Sequence, residues 1–187
     1  MRSQLIAILL LLAATAQPAE IRHPYRHQYA KDTFGRRAAI RTGASAGIQQ
    51  LRNSPREWGR GVKGFGKRVG SGFAQHVVKN SIQYPVAAIR HEELGYRPSN
   101  KKGFGPRLGY ALTSAVITHK TTTGKKTVAA GRISGAMGSG FISRAWQPAR
   151  LHTFTSGAAS GGVMLGVDAG TNVAREFWPK NNHRHEH

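Results

Sequence analysis

Small residues recur at every fourth position in the segment AASGGVMLGVDAGTNVA, residues 158–174. They are Ala158, Gly162, Gly166, Gly170 and Ala174. Residues four apart lie on one side of an α-helix, and small side chains there let two helix backbones approach closely. Each glycine inside a helix costs up to about 1 kcal/mol relative to alanine, so the stripe predicts a neighbouring helix that packs against it.

Other segments with helical periodicity carry the same spacing of small residues. The sequence predicts helices over residues 32–53, 55–95 with a kink at Pro85, 106–119, 127–146 and 156–177. Helix-packing positions are predicted at Gly66, Gly70, Ala74, Gly131, Gly135, Gly162, Gly166, Gly170 and Ala174. We therefore expect an all-α bundle of about five or six amphipathic helices with Gly/Ala contact faces, resembling a glycine zipper.

Two of these helices have apolar stripes that are expected to face the core. The first stripe comprises Ile40, Ala44, Gly47, Ile48 and Leu51, and the second comprises Trp58, Val62, Phe65, Val69, Phe73 and Val77. At about 100° per residue the second stripe occupies one sector of the helix, and Lys and Arg residues lie opposite. Ser54, Pro55 and Glu57 match the capping-box pattern at the start of this helix.

The N-terminus has the pattern of a secretory signal peptide. A short basic start precedes the apolar run LIAILLLLAATA, and Ala14-Thr15-Ala16 matches a small-x-small cleavage site. We expect residues 1–16 to be a signal peptide, with an uncleaved anchor as the alternative. Residues 17–31 are expected to form a flexible basic arm, 32–178 a single helical domain, and 179–187 a disordered His-rich tail.

The composition favours an anionic partner. The chain has 187 residues, no Cys, and a formal charge of +20 from 28 Lys plus Arg against 8 Asp plus Glu. Such an excess attracts anionic lipid headgroups or an acidic envelope polymer. The predicted contact residues are Arg36, Arg37, Arg41, Arg60, Lys63, Lys67, Arg68, Lys101, Lys102, Lys125 and Lys126. An exported protein of this charge is expected in the periplasm or cell envelope, associated peripherally with the membrane. The sequence leaves open whether it forms a homo-oligomer.

Other functional classes have weaker support in the sequence. GRGVKG at residues 59–64 fits a dinucleotide fingerprint in letters alone, because no strand precedes it. His183, His185 and His187 alternate in the tail, a pattern that favours adventitious metal binding at most. We expect no cofactor, no metal and no enzymatic activity, and nucleic acid is disfavoured as a partner because the chain lacks a binding motif. A hydrolase acting on an anionic envelope substrate is the enzymatic alternative, with His91, Glu92, Glu93 and Asp168 as its candidate residues.

Asp168 decides between three interpretations of the last helix: a membrane-embedded helix, a close-packed helix in a soluble bundle, and a buried catalytic carboxylate. On a helical wheel Asp168 falls away from the Gly162 and Gly166 face, within a polar sector that includes Arg175. The sequence therefore predicts a solvated Asp168, paired with Arg175, on the outer side of a close-packed helix. It also predicts that Gly166→Leu disrupts the bundle and that Asp168→Asn is mild. An integral membrane protein packed through its small-xxx-small helices is the alternative.

Overall fold

The computed structural model describes residues 23–177. The predicted signal peptide, residues 17–22 of the predicted arm and the predicted tail at 179–187 lie outside the described residues.

The described chain is mostly helical, as the sequence predicts. The α-helices are α1 (His23–Phe34), α2 (Arg36–Leu51), α3 (Val62–Ile89), α4 (Phe104–Thr113), α5 (Ala130–Ile142) and α6 (Phe154–Phe177). Short 3-10 turns cover Arg56–Trp58, Ser143–Ala145 and Ala149–Leu151. The sequence analysis missed a small antiparallel hairpin of β1 (Ile117–His119) and β2 (Lys126–Val128), in which Thr118 pairs with Thr127.

Helix α5 lies between α3 and α6, and glycines at both contacts allow the helix backbones to approach closely. A Cβ atom added at Gly135 would come within 2.7 Å of the Lys79 carbonyl oxygen of α3. On the other side, a Cβ at Gly140 would lie 2.5 Å from both the Gly157 carbonyl oxygen and the Gly161 backbone nitrogen of α6. Contacts this short admit no side chain, so the three helices pack backbone to backbone. Helix α2 packs on α3, and α4 packs on α6.

Most of the predicted packing residues do not lie at these helix contacts. A Cβ at Gly66, Gly70, Gly162, Gly166 or Gly170 would meet nothing within 4 Å, and Ala174 is exposed. Ala74 is half-buried on α3. Gly131 and Gly135 do lie in close contact with α3. The prediction of a contact stripe through Gly162, Gly166 and Gly170 was wrong because α6 presents the adjacent stripe, Gly157 and Gly161, to α5.

The predicted apolar stripes of α2 and α3 face outward in large part. On α2, Ile40, Ile48 and Leu51 are exposed, whereas Ala38, Thr42 and Ala46 are buried. On α3, Val62, Phe65 and Phe73 are exposed. Its buried positions are Gly64, Arg68, Gln75, His76, Lys79, Asn80, Gln83, Tyr84 and Ala87. The expectation that the stripes face the core was wrong for α2 and only partly right for the second stripe, in which Trp58, Val69 and Val77 are half-buried. Small and polar residues make most of the helix contacts instead.

Two further local expectations differ from the structure. Residues 23–31, expected to be a flexible arm, belong to helix α1. The predicted capping box does not start α3, which begins at Val62 after Gly61, and no side chain caps it. Glu57 instead accepts a hydrogen bond from Arg150 Nε at 2.7 Å. Pro85 lies within α3, which continues through it to Ile89.

Across residues 23–177, no helix has both the length and the apolar character needed to cross a bilayer.

Candidate functional site

A buried ion cluster joins α2, α3 and α6 at Asp168. Lys79 Nζ donates to Asp168 Oδ2 at 2.5 Å, and Arg41 Nη2 donates to Asp168 Oδ1 at 3.1 Å. Arg41 also donates to Thr171 Oγ1 at 2.7 Å. Burial by itself would raise the pKa of Asp168, but the neighbouring Lys79 and Arg41 outweigh it and hold that pKa below its usual range. The predicted solvated pairing with Arg175 was wrong, since Asp168 is buried and its partners come from two other helices.

The cluster forms one wall of a polar cleft of about 310 Å³. Side chains of α1, α2, α3, α5 and α6 line it, together with Leu94 from the loop after α3. On α3, Asn80 Nδ2 donates to Thr33 Oγ1 at 3.0 Å, and Tyr84 donates its hydroxyl to Asp32 Oδ2 at 2.7 Å. Charged and polar side chains of five helices thus line the cleft, together with Ala38, Ile40 and Leu94.

Histidine and tyrosine in this cleft have shifted protonation equilibria. Burial lowers the pKa of His76, whose Nε2 lies 3.0 Å from the Asp32 carbonyl oxygen. Burial, together with the hydrogen bond to Asp32, raises the pKa of Tyr84 above its ordinary value. Both shifts favour the neutral side chain, so the charge in the cleft comes from Arg, Lys and Asp residues.

Arg132 on α5 is a buried cation at the back of the cleft. Its guanidinium donates to the Leu94 carbonyl oxygen at 2.9 Å and to the Ser114 carbonyl oxygen. Among residues 23–177 no carboxylate lies within salt-bridge distance of it. Burial lowers its pKa from the ordinary value for arginine. A buried guanidinium held by carbonyl oxygens retains its attraction for an oxyanion.

The remaining candidate acids serve as structural ion pairs. Glu92 accepts from Arg90 Nε at 2.7 Å and from the backbone nitrogens of Ala130 and Gly131, so it lies at the N-terminus of α5. An anion there is stabilised by the helix dipole. Glu93 pairs with Arg97 on the surface. His91 and Glu92 do not line the cleft that contains Asp168, so the residues proposed for a hydrolase do not form one site.

Glu176 anchors the loop after α3 and helix α4 to the end of α6. Its carboxylate accepts from Tyr96, from Arg107 Nε at 2.9 Å, and from both the backbone and the side chain of Ser99. Burial alone would raise the pKa of Glu176, but these hydrogen bonds outweigh it and hold the pKa at about 2. Sequence reasoning treated Glu176 as a generic salt-bridge partner and did not find this anchor.

A second feature is the segment of residues 49–63, which comprises the end of α2, the connection 52–61 and the start of α3, and which we call the hairpin tip. Arg68 is fully buried beneath it and donates to the Pro55 carbonyl oxygen and the Ser54 carbonyl oxygen, each at 2.9 Å. The same guanidinium donates to Gly59 O at 2.7 Å and to Gln50 Oε1 at 2.6 Å. One arginine therefore fixes the tip from inside, and the prediction that Arg68 contacts an external anion was wrong.

The outer surface of the hairpin tip combines large apolar and cationic side chains. Leu51 is 83% exposed and Val62 is 89% exposed. Arg52, Arg56, Arg60 and Lys63, which belong to the same segment, are also exposed. Sequence reasoning predicted Arg60 and Lys63 as contact residues but missed Arg52 and Arg56, which lie in the connection between the two helices.

The other predicted cationic contacts are distributed around the molecule. Exposed positions are Arg36, Arg37, Lys67, Lys101, Lys102, Lys125 and Lys126. Arg41 is half-buried in the ion cluster. Among the described residues no group of three or more His, Asp or Glu side chains has the arrangement of a metal site.

Sequence reasoning also missed the polar side chains of α3 that line the cleft. A signal for them exists in α3, where polar residues recur at four-residue spacing as Gln75, Lys79 and Gln83, beside His76 and Asn80.

Comparison of the chain with protein-family models, with curated proteins and with solved structures gives no match. Function is therefore inferred from the geometry and charges of this chain alone.

Proposed function

We propose that this protein is an exported, non-enzymatic helical protein of the cell envelope that docks peripherally on an anionic lipid bilayer through its hairpin tip. The observation that carries the proposal is the exposure of Leu51 and Val62 beside Arg52, Arg56, Arg60 and Lys63. Apolar side chains ringed by cations are typical of surfaces that enter the headgroup region of a membrane.

The energies of the two kinds of contact support a bilayer as the partner. Each cation near an anionic membrane contributes about 1 kcal/mol, and this contribution falls off within a Debye length. Complete burial of a Leu or Val side chain contributes about 1.5–3 kcal/mol. A purely acidic polymer would use the cations and leave both apolar side chains in water, so the bilayer accounts for more of the surface.

The buried Arg68 strengthens the proposal because it holds the tip in one shape. It makes hydrogen bonds to Gln50, Ser54, Pro55 and Gly59 from beneath the exposed side chains. A fixed tip loses less conformational entropy on docking than a flexible loop of the same composition.

Co-sedimentation with vesicles tests the proposal. The full chain is expected to bind vesicles of phosphatidylcholine that contain phosphatidylglycerol, and to bind more weakly as salt is raised. Leu51→Ser and Val62→Ser should each weaken binding by about tenfold, since each removes apolar contact with the acyl boundary. Ile89→Ser is the matched control, because Ile89 is 71% exposed at the opposite end of α3, about 40 Å along the axis from Val62.

Substitution of the cations separates docking from general electrostatic attraction. Arg56→Gln and Lys63→Gln are expected to weaken binding more than Lys125→Gln, which removes an exposed charge from the loop of the β-hairpin. Equal losses for all three, with no effect of Leu51→Ser, would indicate general electrostatic attraction without docking of the tip and would contradict the proposal. Self-association that is abolished by Leu51→Ser, without vesicle binding, would identify a second copy of the chain as the partner and would also contradict it.

A further inference from the structure

Two buried polar atoms in the cleft have no hydrogen-bond partner among residues 23–177. They are Asn172 Nδ2, a donor, and Gln83 Oε1, an acceptor. Asn172 is 6% exposed and Gln83 is 7% exposed, and both residues line the cleft. An unsatisfied buried polar group destabilises the folded protein, so a ligand that offers both an acceptor and a donor would recover that loss.

The charge lining the cleft selects an anion. Five cationic side chains, Arg37, Arg41, Lys79, Arg132 and Arg175, line the cleft with two carboxylates, Asp32 and Asp168. The excess is five minus two, or three positive charges. Arg132 is 8% exposed and has backbone carbonyl partners alone among the described residues. An oxyanion would complete its coordination, and a divalent one would offset more of the excess than a carboxylate.

We propose that this cleft binds a phosphate ester of a polyol. Asn172 Nδ2 and the guanidinium groups would donate to the phosphate oxygens, and a hydroxyl of the polyol would donate to Gln83 Oε1. The volume of about 310 Å³ fits a ligand of this size. The phosphate ester is either a free small molecule or the headgroup of a glycerophospholipid, which share the same chemistry.

This inference is separate from the docking proposal. The cleft lies among α1, α2, α3, α5 and α6, and none of its lining residues belongs to the hairpin tip. Binding of a soluble ligand is measured without vesicles, so failure of one proposal leaves the other intact.

Titration calorimetry of the full chain at low salt tests the ligand class with three probes: glycerol phosphate, methyl phosphate and glycerol. Glycerol phosphate is expected to bind about tenfold more tightly than methyl phosphate, which has no hydroxyl for Gln83 Oε1. Glycerol alone should not bind at the same concentrations. Gln83→Ala should remove the preference for glycerol phosphate over methyl phosphate.

Variants of the cationic and amide groups test the site. Arg37→Gln and Asn172→Ala are each expected to weaken binding of glycerol phosphate by about tenfold. Arg36→Gln is the matched control, because Arg36 is the exposed neighbour of Arg37 on α2 and does not line the cleft. Arg37 is itself exposed, so Arg37→Gln keeps the proposal falsifiable if Asn172→Ala does not fold.

The last arm distinguishes the two sources of the phosphate ester. A short-chain phosphatidylglycerol is titrated below the concentration at which it forms micelles. Much tighter binding than that of glycerol phosphate supports the proposal with a lipid headgroup as the source, and equal or weaker binding supports it with a free ester. The proposal is overturned if no phosphate ester binds, because the cleft then holds water only. It is also overturned if Arg36→Gln weakens binding as much as Arg37→Gln does.

Discussion

Two stripes of small residues on α6 have opposite environments. Gly157 and Gly161 lie against α5, where an added Cβ would come within 3 Å of α5 atoms. A Cβ atom added at Gly162, Gly166 or Gly170 would meet no neighbouring atom within 4 Å. The stripes are one residue apart in sequence, which is about 100° around the helix. Regular spacing of glycine therefore identifies a helix that could pack closely. Which face of that helix makes the contact depends on the other residues of each stripe.

Polar residues continue the buried stripe and distinguish it from the outer one. The positions after Gly157 and Gly161 on the same side are Asp168, Asn172 and Glu176, all buried. Each of these has a task inside the molecule: an ion pair, a wall of the cleft, or the anchor of α4. In this protein the interior is polar and glycine-rich, and the outer faces of α2 and α3 carry large apolar side chains.

The largest expected effect is that of Asp168→Asn. Loss of the carboxylate leaves Lys79 buried with no anionic partner, which should lower the free energy of unfolding by about 3–5 kcal/mol. Chemical denaturation of the variant measures this loss. Glu93→Gln is the control, because its partner Arg97 is 68% exposed and such a pair contributes at most about 1 kcal/mol. Similar small losses of stability for both variants would contradict the buried ion pair and would favour the solvated Asp168 that the sequence alone predicts.

Alanine substitutions at two glycines compare the stripes directly. Gly140→Ala inserts a methyl group between the backbones of α5 and α6 and should cost about 1–3 kcal/mol or more. Gly166→Ala adds a methyl group in free space within α6 and should stabilise the protein by about 0.5–1 kcal/mol. Thermal unfolding gives both signs. Destabilisation by Gly166→Ala together with tolerance of Gly140→Ala would mean that α6 packs through the Gly162, Gly166 and Gly170 stripe and not through Gly157 and Gly161.

A smaller effect is expected in the pH dependence of stability. The pKa of Glu176 is about 2 in the folded protein, against an ordinary value of 4.5. The carboxylate therefore stabilises the fold fully above pH 4.5, and this contribution is lost as the pH falls toward 2. Urea unfolding of wild type and Glu176→Gln across this range should show a difference in stability that shrinks on acidification. A difference that stays constant with pH would contradict the assigned role.

The helical character and the close contacts of Gly131 and Gly135 could be predicted from the sequence. Amphipathic spacing and small residues carry that information within single helices. The orientation of the helices could not, because hydrophobic periodicity assigns apolar faces to the core. Here Ala38, Ala46 and the polar residues of α3 make the contacts instead.

The candidate site was equally hard to predict, for a related reason. Lys79, Arg132 and Asp168 come from three helices that are far apart in sequence, and their presence in one cleft depends on the α3–α5–α6 packing. Arg68 was predicted on the surface because it lies opposite the apolar stripe of its helix, among other Lys and Arg residues. Its burial follows from the carbonyl oxygens of the connection 53–59, which no sequence pattern places.

Thiol labelling on α2 tests most directly whether small residues face the interior and large apolar residues face outward. The chain has no Cys, so a single thiol can be introduced at each position. Ile48→Cys and Ala46→Cys introduce single thiols at positions that are 55% and 1% exposed. The structure predicts that a maleimide labels Ile48→Cys rapidly in the native protein, and labels Ala46→Cys at least about a hundredfold more slowly, because local opening limits that reaction. Rapid labelling at Ala46 with protection at Ile48 would contradict the account.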